Sequence, residues 1–211
     1  MNALIIGASG SSAEIALMLT DSDSNVEGHL AVGFLDDNPK LHKSQVLGLP
    51  VLGGTESLKN YTQYGFTSGI GSDKNFITRL RFLRNINELL IPIICISKYS
   101  VISKAATIEE GAIVSPNCFI GSNSTIGSFV YVMPNTFIGH SSQISAGSII
   151  CSGVTISGNV NIGESCYMGA GSIIKDHVSI SPGVLVGSGS NVVSDLTDQG
   201  VYVGNPARKL E

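Results

Sequence analysis

Charge is scarce in this chain. Asp, Glu, Lys and Arg make up 13% of its 211 residues, with a net charge of −4. The Lys and Arg are scattered rather than gathered into a stripe, which argues against a nucleic acid partner. Long apolar runs are also missing. Mean hydropathy is high, +0.29, yet the longest run, Leu89 to Ile96, contains Pro92 and falls well short of the roughly 18 residues a spanning helix needs. The first residues lack the charged-then-apolar layout of a secretory signal, so the expectation is a soluble, cytoplasmic protein without membrane insertion. Cysteine is sparse: Cys95, Cys118, Cys151 and Cys166 show no paired metal-ligand spacing and read as structural thiols, with exposure left open only for Cys151.

What the chain does have is a repeat. Sixteen six-residue units run from Ile102 to Val192 without an insertion, and the first place of each is aliphatic: Ile102, Ile108, Val114, Ile120 and so on through Val186 and Val192. The fifth place of the first fifteen holds only Ala, Cys, Ser, Thr or Val, so a second inward position tolerates modest volume. Gly or Asn recurs at the fourth place (Gly111, Asn117, Asn123, Asn135, Gly147); these residues are at ease with positive φ, and a bend falls once per unit. A fixed hexapeptide period means a parallel β-helix.

The first ninety-odd residues read differently. Ala3 to Gly7 is a buried strand that breaks at Gly7-Ala8-Ser9-Gly10-Ser11-Ser12 and continues into an apolar-periodic helix, Ala13 to Leu19. A second strand, Leu30 to Leu35, ends in Asp36-Asp37. Helices around Glu56 to Tyr64 and Phe76 to Leu90 alternate with strands near Ser68 to Ile70 and Ile93 to Ile96. Such alternation argues for a small parallel, Rossmann-like α/β sheet, and the expected division is 1–97 for this domain and 98–211 for the β-helix. Ligands bind at the carboxyl ends of such strands, with a phosphate at the helix N-terminus. That points to Gly7, Ser9, Gly10, Ser11, Asp36 and Asp37; Gly-x-x-Gly is equally an ordinary tight turn, and Asp36-Asp37 a solvated strand end. Arg79 and Arg81 read as exposed charges, one of which could reach a phosphate.

Gly7-Ala8-Ser9-Gly10, Phe34-Leu35-Asp36-Asp37, Leu49-Pro50-Val51-Leu52-Gly53-Gly54, Ile70-Gly71, the gapless repeats and the closing Val201-Tyr202-Val203-Gly204-Asn205-Pro206-Ala207 together resemble the hexapeptide-repeat acyltransferases of the PglD and NeuD type, along essentially the whole chain. The resemblance implies a left-handed β-helix with three units per coil and a homotrimer. It implies that the N-terminal domain, through the residues above and Gly71, holds a nucleotide-linked amino sugar. Acetyl-CoA then lies along the β-helix, near Gly158, Ala170, Asn205, Pro206, Arg208 and Lys209, without a metal. The family's base, a histidine eighteen residues before a Gly-Asn-Val-x-Ile-Gly stretch, falls on His140, and Gly158 on the glycine whose amide lies near the acetyl group. This chain departs where Ser141 replaces an acidic residue after the histidine, Ile149 a second histidine, and Ser11 a histidine of the Gly-rich loop.

The expected activity is therefore N-acetylation of a UDP- or dTDP-linked 4-amino-4,6-dideoxy sugar in surface glycan assembly. Rivals are an O-acetyltransferase of the sialic acid type and a non-catalytic nucleotide-sugar binder. A zinc or iron hydratase on the same helix needs three histidines, whereas the repeats hold only His140 and His177.

Overall fold

The computed structural model describes residues 1–20 and 29–211. From Cys95–Ile96 onward, two-residue strands recur once per unit and pair in parallel with the strand eighteen residues later: Ile113 with Tyr131, Phe119 with Phe137, Thr125 with Gln143. Three units thus close one coil, and three sheets form the faces of a prism. Face one runs from Cys95–Ile96 to Val201–Val203, face two from Val101–Ile102 to Asn191–Val192, and face three from Thr107–Ile108 to Ser179–Ile180. First-place residues such as Val114, Ile120 and Ile126 fill the interior.

The fifth place is chosen for hydrogen bonding as well as size. Ser124, Thr136, Ser142 and Ser148 each donate a hydroxyl inside the prism to a second-place carbonyl of the next coil, those of Gly139, Cys151, Ser157 and Gly163, at 2.8–3.1 Å. Cys118 and Cys166 place their thiols 3.2 Å from Met133 O and Ser181 O in the same way. A small side chain with a donor satisfies a carbonyl that would otherwise be buried unpaired.

Every fourth place from Gly111 to Gly189 has positive φ, including Phe129 (58°), Ser141 (59°), Ser165 (51°) and His177 (63°). Third-place N–H groups stand outside the coil-to-coil ladder among the described residues. This is why Pro116, Pro134 and Pro182 can occupy third places: proline has no N–H to contribute. Some second places admit only glycine, since a β-carbon on Gly139 would lie 2.6 Å from Ser157 C and 2.7 Å from Gly158 N.

The N-terminal domain is a sheet of order β3-β4-β2-β1-β5-β6: β1 (Asn2–Ile6), β2 (Leu30–Leu35), β3 (Gln45–Val46), β4 (Leu49–Gly53), β5 (Gly65–Ser68) and β6 (Ile91–Pro92), with helices α1 (Gly10–Thr20) and α2 (Phe76–Asn87). All pairs are parallel except the edge pair β3–β4. Three elements differ from expectation. The strand expected near Ser68 to Ile70 is Gly65–Ser68, and Ile70 already lies in the loop that follows it. The Glu56–Tyr64 helix is a 3-10 helix over Thr55–Asn60, as suits a stretch rich in Thr, Ser, Asn and Tyr, weak helix formers. The strand read over Ile93–Ile96 is shortened to Cys95–Ile96, which opens face one, because the chain changes sheets there: the preceding Ile91–Pro92 is a separate strand that pairs with β5.

Face one is covered by this domain, so its outward residues Cys95, Ile113, Tyr131 and Ile149 are fully buried. Helix α2 reaches the third corner, between faces three and one. Leu80 fills the space a side chain on Gly147 would need, and Phe66 stacks on Phe129 at 6.1 Å. Here the exposed Arg79 expected from sequence is corrected. Its side chain is 2% exposed; Nε donates to Ile70 O (2.6 Å), and Nη1 to Phe129 O (2.6 Å) and Gly147 O (3.4 Å). The corner ladder binds third-place carbonyls (Phe129 N–H to Glu110 O, Gly147 N–H to Ser128 O), which leaves the fourth-place carbonyls needing a donor once α2 shuts out water. Burial lowers the Arg79 pKa to about 10, so it stays charged at neutral pH.

These contacts order the cost of two substitutions. Gly139→Ala must push two coils apart and should lose about 1–3 kcal/mol or more. Gly171→Ala has positive φ but open space and should lose only about 1–2 kcal/mol. Thermal unfolding of the two variants checks the ranking.

Candidate active site

The N-terminal crevice forms where strand order reverses around β1. Gly7, Ser9, Gly10 and Ser11 follow β1, Asp36 and Asp37 follow β2, Thr55 follows β4, and Ile70, Gly71 and Ser72 follow β5; all line one cavity of about 550 Å³. Gly7 turns with φ of 88°, and Gly69 lets the loop after β5 lie against Ser12, where a β-carbon would come within 2.5 Å of Ser12 N. The first amides of α1 therefore open on the cavity with no carbonyl a turn before them, a positive end suited to an anion. The carboxylates build the rim. Asp36 accepts from Ala8 N–H and Asn38 N–H (both 2.8 Å), and Asp37 from Thr55 N–H (2.7 Å) and its hydroxyl (2.8 Å). His42 donates Nε2–H to Asp36 O at 2.8 Å. Gly71 rests on the solenoid, where a β-carbon would be 3.1 Å from Ile149 Cδ1.

His140 and Gly158 form a second locus. Both sit at the second corner, between faces two and three, at third places of successive coils. The imidazole lies across Gly158: a β-carbon there would be 2.8 Å from Nε2 and 2.9 Å from Cε1. His140 is exposed, its Nδ1 lies 3.4 Å from Ser141 Oγ, and its carbonyl accepts Asn159 N–H at 2.9 Å. Gly158 N–H, like other third-place amides, is outside the ladder. His177 is two coils on but in the fourth place, on a neighbouring column, and no three His, Cys, Asp or Glu among the described residues gather as a metal site.

The remaining positions stand apart. Ala170 is exposed on the first corner, between faces one and two, in the column of Pro116, Pro134 and Ser152. Asn205 and Pro206, Arg208 and Lys209 are exposed on a terminal hairpin that closes the solenoid, with Asn191 Nδ2 donating to Asn205 Oδ1 at 3.1 Å. That hairpin lies three or four rungs from His140, roughly 15–20 Å at about 4.8 Å per rung. The crevice is on face one and His140 on the corner opposite that face, so one copy of the chain does not bring the two together.

Two features of the surface were not singled out from sequence. Outward residues of face two make a mainly apolar ladder, interrupted by Thr155 and ending in Asn191: Val101, Phe119, Phe137 and Ile173 are 62%, 41%, 43% and 49% exposed, and the rings of Phe119 and Phe137 stack at 5.1 Å. Face three carries Thr107, Thr125, Gln143, Asn161 and Ser179 instead. The signal was present in the sixth places eighteen residues apart, at Val101, Phe119, Phe137 and Ile173 but not at Thr155 or Asn191. A mainly apolar crevice of about 340 Å³, between α1 and the first corner, continues the ladder through Tyr99, Pro116 and Pro134.

Among known proteins, residues 2–85 match the PglD N-terminal domain family. No curated protein matches. A histidine mutant of perosamine N-acetyltransferase from Caulobacter crescentus, solved with CoA and GDP-perosamine, superposes with a TM-score of 0.90 at 23% identity, over 100% of this chain and 97% of that one. The acetyltransferase domain of PglB from Neisseria gonorrhoeae gives 0.88 at 25%, over 99% of each chain. WeeI from Acinetobacter baumannii gives 0.85 at 24%, over 100% of each. Superposition is sensitive to hand, so these likenesses fix the β-helix as left-handed. The chain shares its two-part architecture, end to end, with these acetyltransferases.

All four cysteines are buried, Cys151 included, which closes the question its second-place position left open. Burial raises every thiol, Cys95 to about 12 and Cys166 to about 11. A disulfide-exchange reagent at pH 8 should therefore label the native protein slowly, with all four thiols reacting on denaturation. Unfolded thiols ionise near pH 8.5. Above that value the unfolded state holds fewer protons than the folded one, and stability should fall as pH rises, measurable as a declining denaturation midpoint.

Proposed function

We propose that this PglD-type hexapeptide-repeat protein is an acetyl-CoA-dependent N-acetyltransferase of a nucleotide-linked amino sugar, the acceptor being a 4-amino-4,6-dideoxy sugar on UDP or dTDP. The observation that carries the reading is His140 laid across Gly158 on a solvent-facing corner of a protein whose other domain offers a nucleotide-sized crevice. The relatives support it: the perosamine enzyme binds CoA and GDP-perosamine, and the PglB domain binds acetyl-CoA. In this reading residues 1–97 take the acceptor and 98–211 the donor.

The diphosphate sits on the N-terminal amides of α1, with Ser9 and Ser11 beside it, while Asp36 and Asp37 face hydrogen-bond donors of the nucleoside. Acetyl-CoA runs from the His140 corner toward the terminal hairpin, past Ala170 of a neighbouring copy, to Arg208 and Lys209 near its phosphates. With Nδ1–H donated to Ser141 Oγ, His140 presents Nε2 as the base. Nε2 takes a proton from the sugar amine as its nitrogen attacks the thioester carbonyl; Gly158 N–H faces the resulting oxyanion. Collapse breaks the C–S bond, and the thiolate leaves with the proton from His140. Ser141 cannot stabilise an imidazolium as a carboxylate would, which favours an amine over a hydroxyl acceptor.

Three copies close the site. Because the crevice and His140 lie on opposite sides of one prism, the acceptor of one subunit meets the histidine of its neighbour, and the Phe119–Phe137 ladder is covered in that contact.

The test is thiol release from acetyl-CoA with UDP-, dTDP- and GDP-linked 4-amino sugars. Amine-dependent turnover is expected to fall about 10²–10⁴-fold in His140→Ala and about 10–100-fold in Gly158→Ala, which displaces the ring. Turnover with hydroxyl sugars alone would replace the reading with O-acetylation, and nucleotide-sugar binding without turnover would make the chain a binding protein. Separately, Phe137→Glu should convert a trimer into monomers on size-exclusion chromatography, with activity lost in parallel; an active monomer would overturn the shared site.

A further inference from the structure

Arg79 stands outside every role so far assigned to the site, yet its guanidinium joins three places that the reaction must keep in register. Its Nε holds Ile70 O, in the loop after β5 that forms one wall of the acceptor crevice. Its Nη1 holds Phe129 O and Gly147 O, fourth-place carbonyls of successive coils at the third corner. Gly147 belongs to the coil that carries His140, which begins with the strand Tyr131–Val132 and ends where Ile149–Ile150 starts the next. One side chain thus ties the acceptor loop to the rung of the catalytic histidine.

We propose that Arg79 is a positioning residue that sets the height of the acceptor crevice along the solenoid at the level of the His140 coil. This rests on the reading above that the site is shared around a rotation axis parallel to the solenoids. Rotation preserves height along its axis, so a pin that fixes the crevice against the rungs of its own subunit fixes it equally against His140 of the next. The fastening is selective. Leu80 packs on Gly147 and Phe76 on Tyr167 through apolar contact, and among the described residues the other ion pair or side-chain hydrogen bond from α2 to the solenoid, Arg84 with Glu164 at 3.2 Å, is exposed on both sides and is worth little. The Ile70–Gly71 backbone otherwise meets the solenoid through apolar contact with Ile149, which sets distance but not height. A guanidinium suits the task because its planar fork can serve carbonyls in several directions while remaining charged.

The experiment compares the native chain with Arg79→Lys, Arg79→Met and, as a control, Arg84→Ala. Hydrogen–deuterium exchange is read separately for residues 69–75 and for the coils, alongside acetyl-CoA affinity by calorimetry and steady-state kinetics. In Arg79→Met the 69–75 amides should exchange about tenfold faster or more while the coils keep their protection. Acceptor kcat/KM should fall about 100-fold, the scale of a misplacement near 1 Å, with acetyl-CoA affinity unchanged. Arg79→Lys, which keeps charge and one donor, should fold even where Met fails and fall between Met and native, and Arg84→Ala should match native. An unchanged loop, loosening spread evenly through the coils, or full kcat/KM in a variant with a loosened loop overturns the proposal. If the native chain shows no turnover, the activity reading fails, and exchange at 69–75 alone decides whether Arg79 pins the loop.

Discussion

Everything in this protein hangs on one spacing. Coils stack at the interstrand distance of a parallel sheet, about 4.8 Å, and eighteen residues must return the chain to the same place on the next rung. That constraint decides which side chains are possible almost residue by residue. First places fill the prism, fifth places fill it and, at Cys118, Ser124, Thr136, Ser142, Ser148 and Cys166, donate to a second-place carbonyl, and fourth places turn with positive φ even where the residue is Phe129 or His177. Third places carry the amide that the ladder does not use. The corner and the outward sixth place are therefore the parts of the unit with chemical freedom, and His140 and Gly158 stand at a corner, stacked because their separation is one turn.

The same geometry creates a debt at each corner. Ladder bonds at most corners take the third-place carbonyl, so the fourth-place carbonyl depends on water. Where a corner is exposed, solvent meets the need. At the third corner α2 excludes it, and a buried carbonyl without a donor costs on the order of 1–3 kcal/mol. Arg79 answers two such carbonyls and one from the loop after β5. Its burial, costly for an unpaired ion, follows from docking a helix against a solenoid corner.

The period was legible because it repeats without a gap, and most corners because Gly and Asn mark them. Phe129, Ser141 and Ser165 turn equally well without that mark; the rung spacing imposes their φ, at a local cost that the ladder bonds on both sides offset. Arg79 was illegible for a different reason. Beside Arg81 and Arg84 on an amphipathic helix it is one basic residue among three, and only the angle at which α2 meets the prism selects it for burial. The split of Leu89–Ile96 between two sheets was hidden similarly, since an apolar run carries no sign of which sheet each half joins. The crevice residues could be named from strand ends, but the use of Asp36 and Asp37 to brace the loops after β1 and β4 depends on neighbours distant in sequence.

The three faces of the prism have different outward residues, and the difference assigns their partners. Face one is apolar, and the chain's own N-terminal domain covers its first four rungs, Cys95 to Ile149. Face three is polar and needs nothing. Face two presents stacked phenylalanines to solvent, a pattern that leaves apolar surface unburied in an isolated copy. Placing the N-terminal domain on face one also sends His140 to the corner farthest from the crevice. A single covering decision therefore has two consequences: it leaves one apolar face for another copy, and it separates the two halves of a bimolecular site that another copy can reunite.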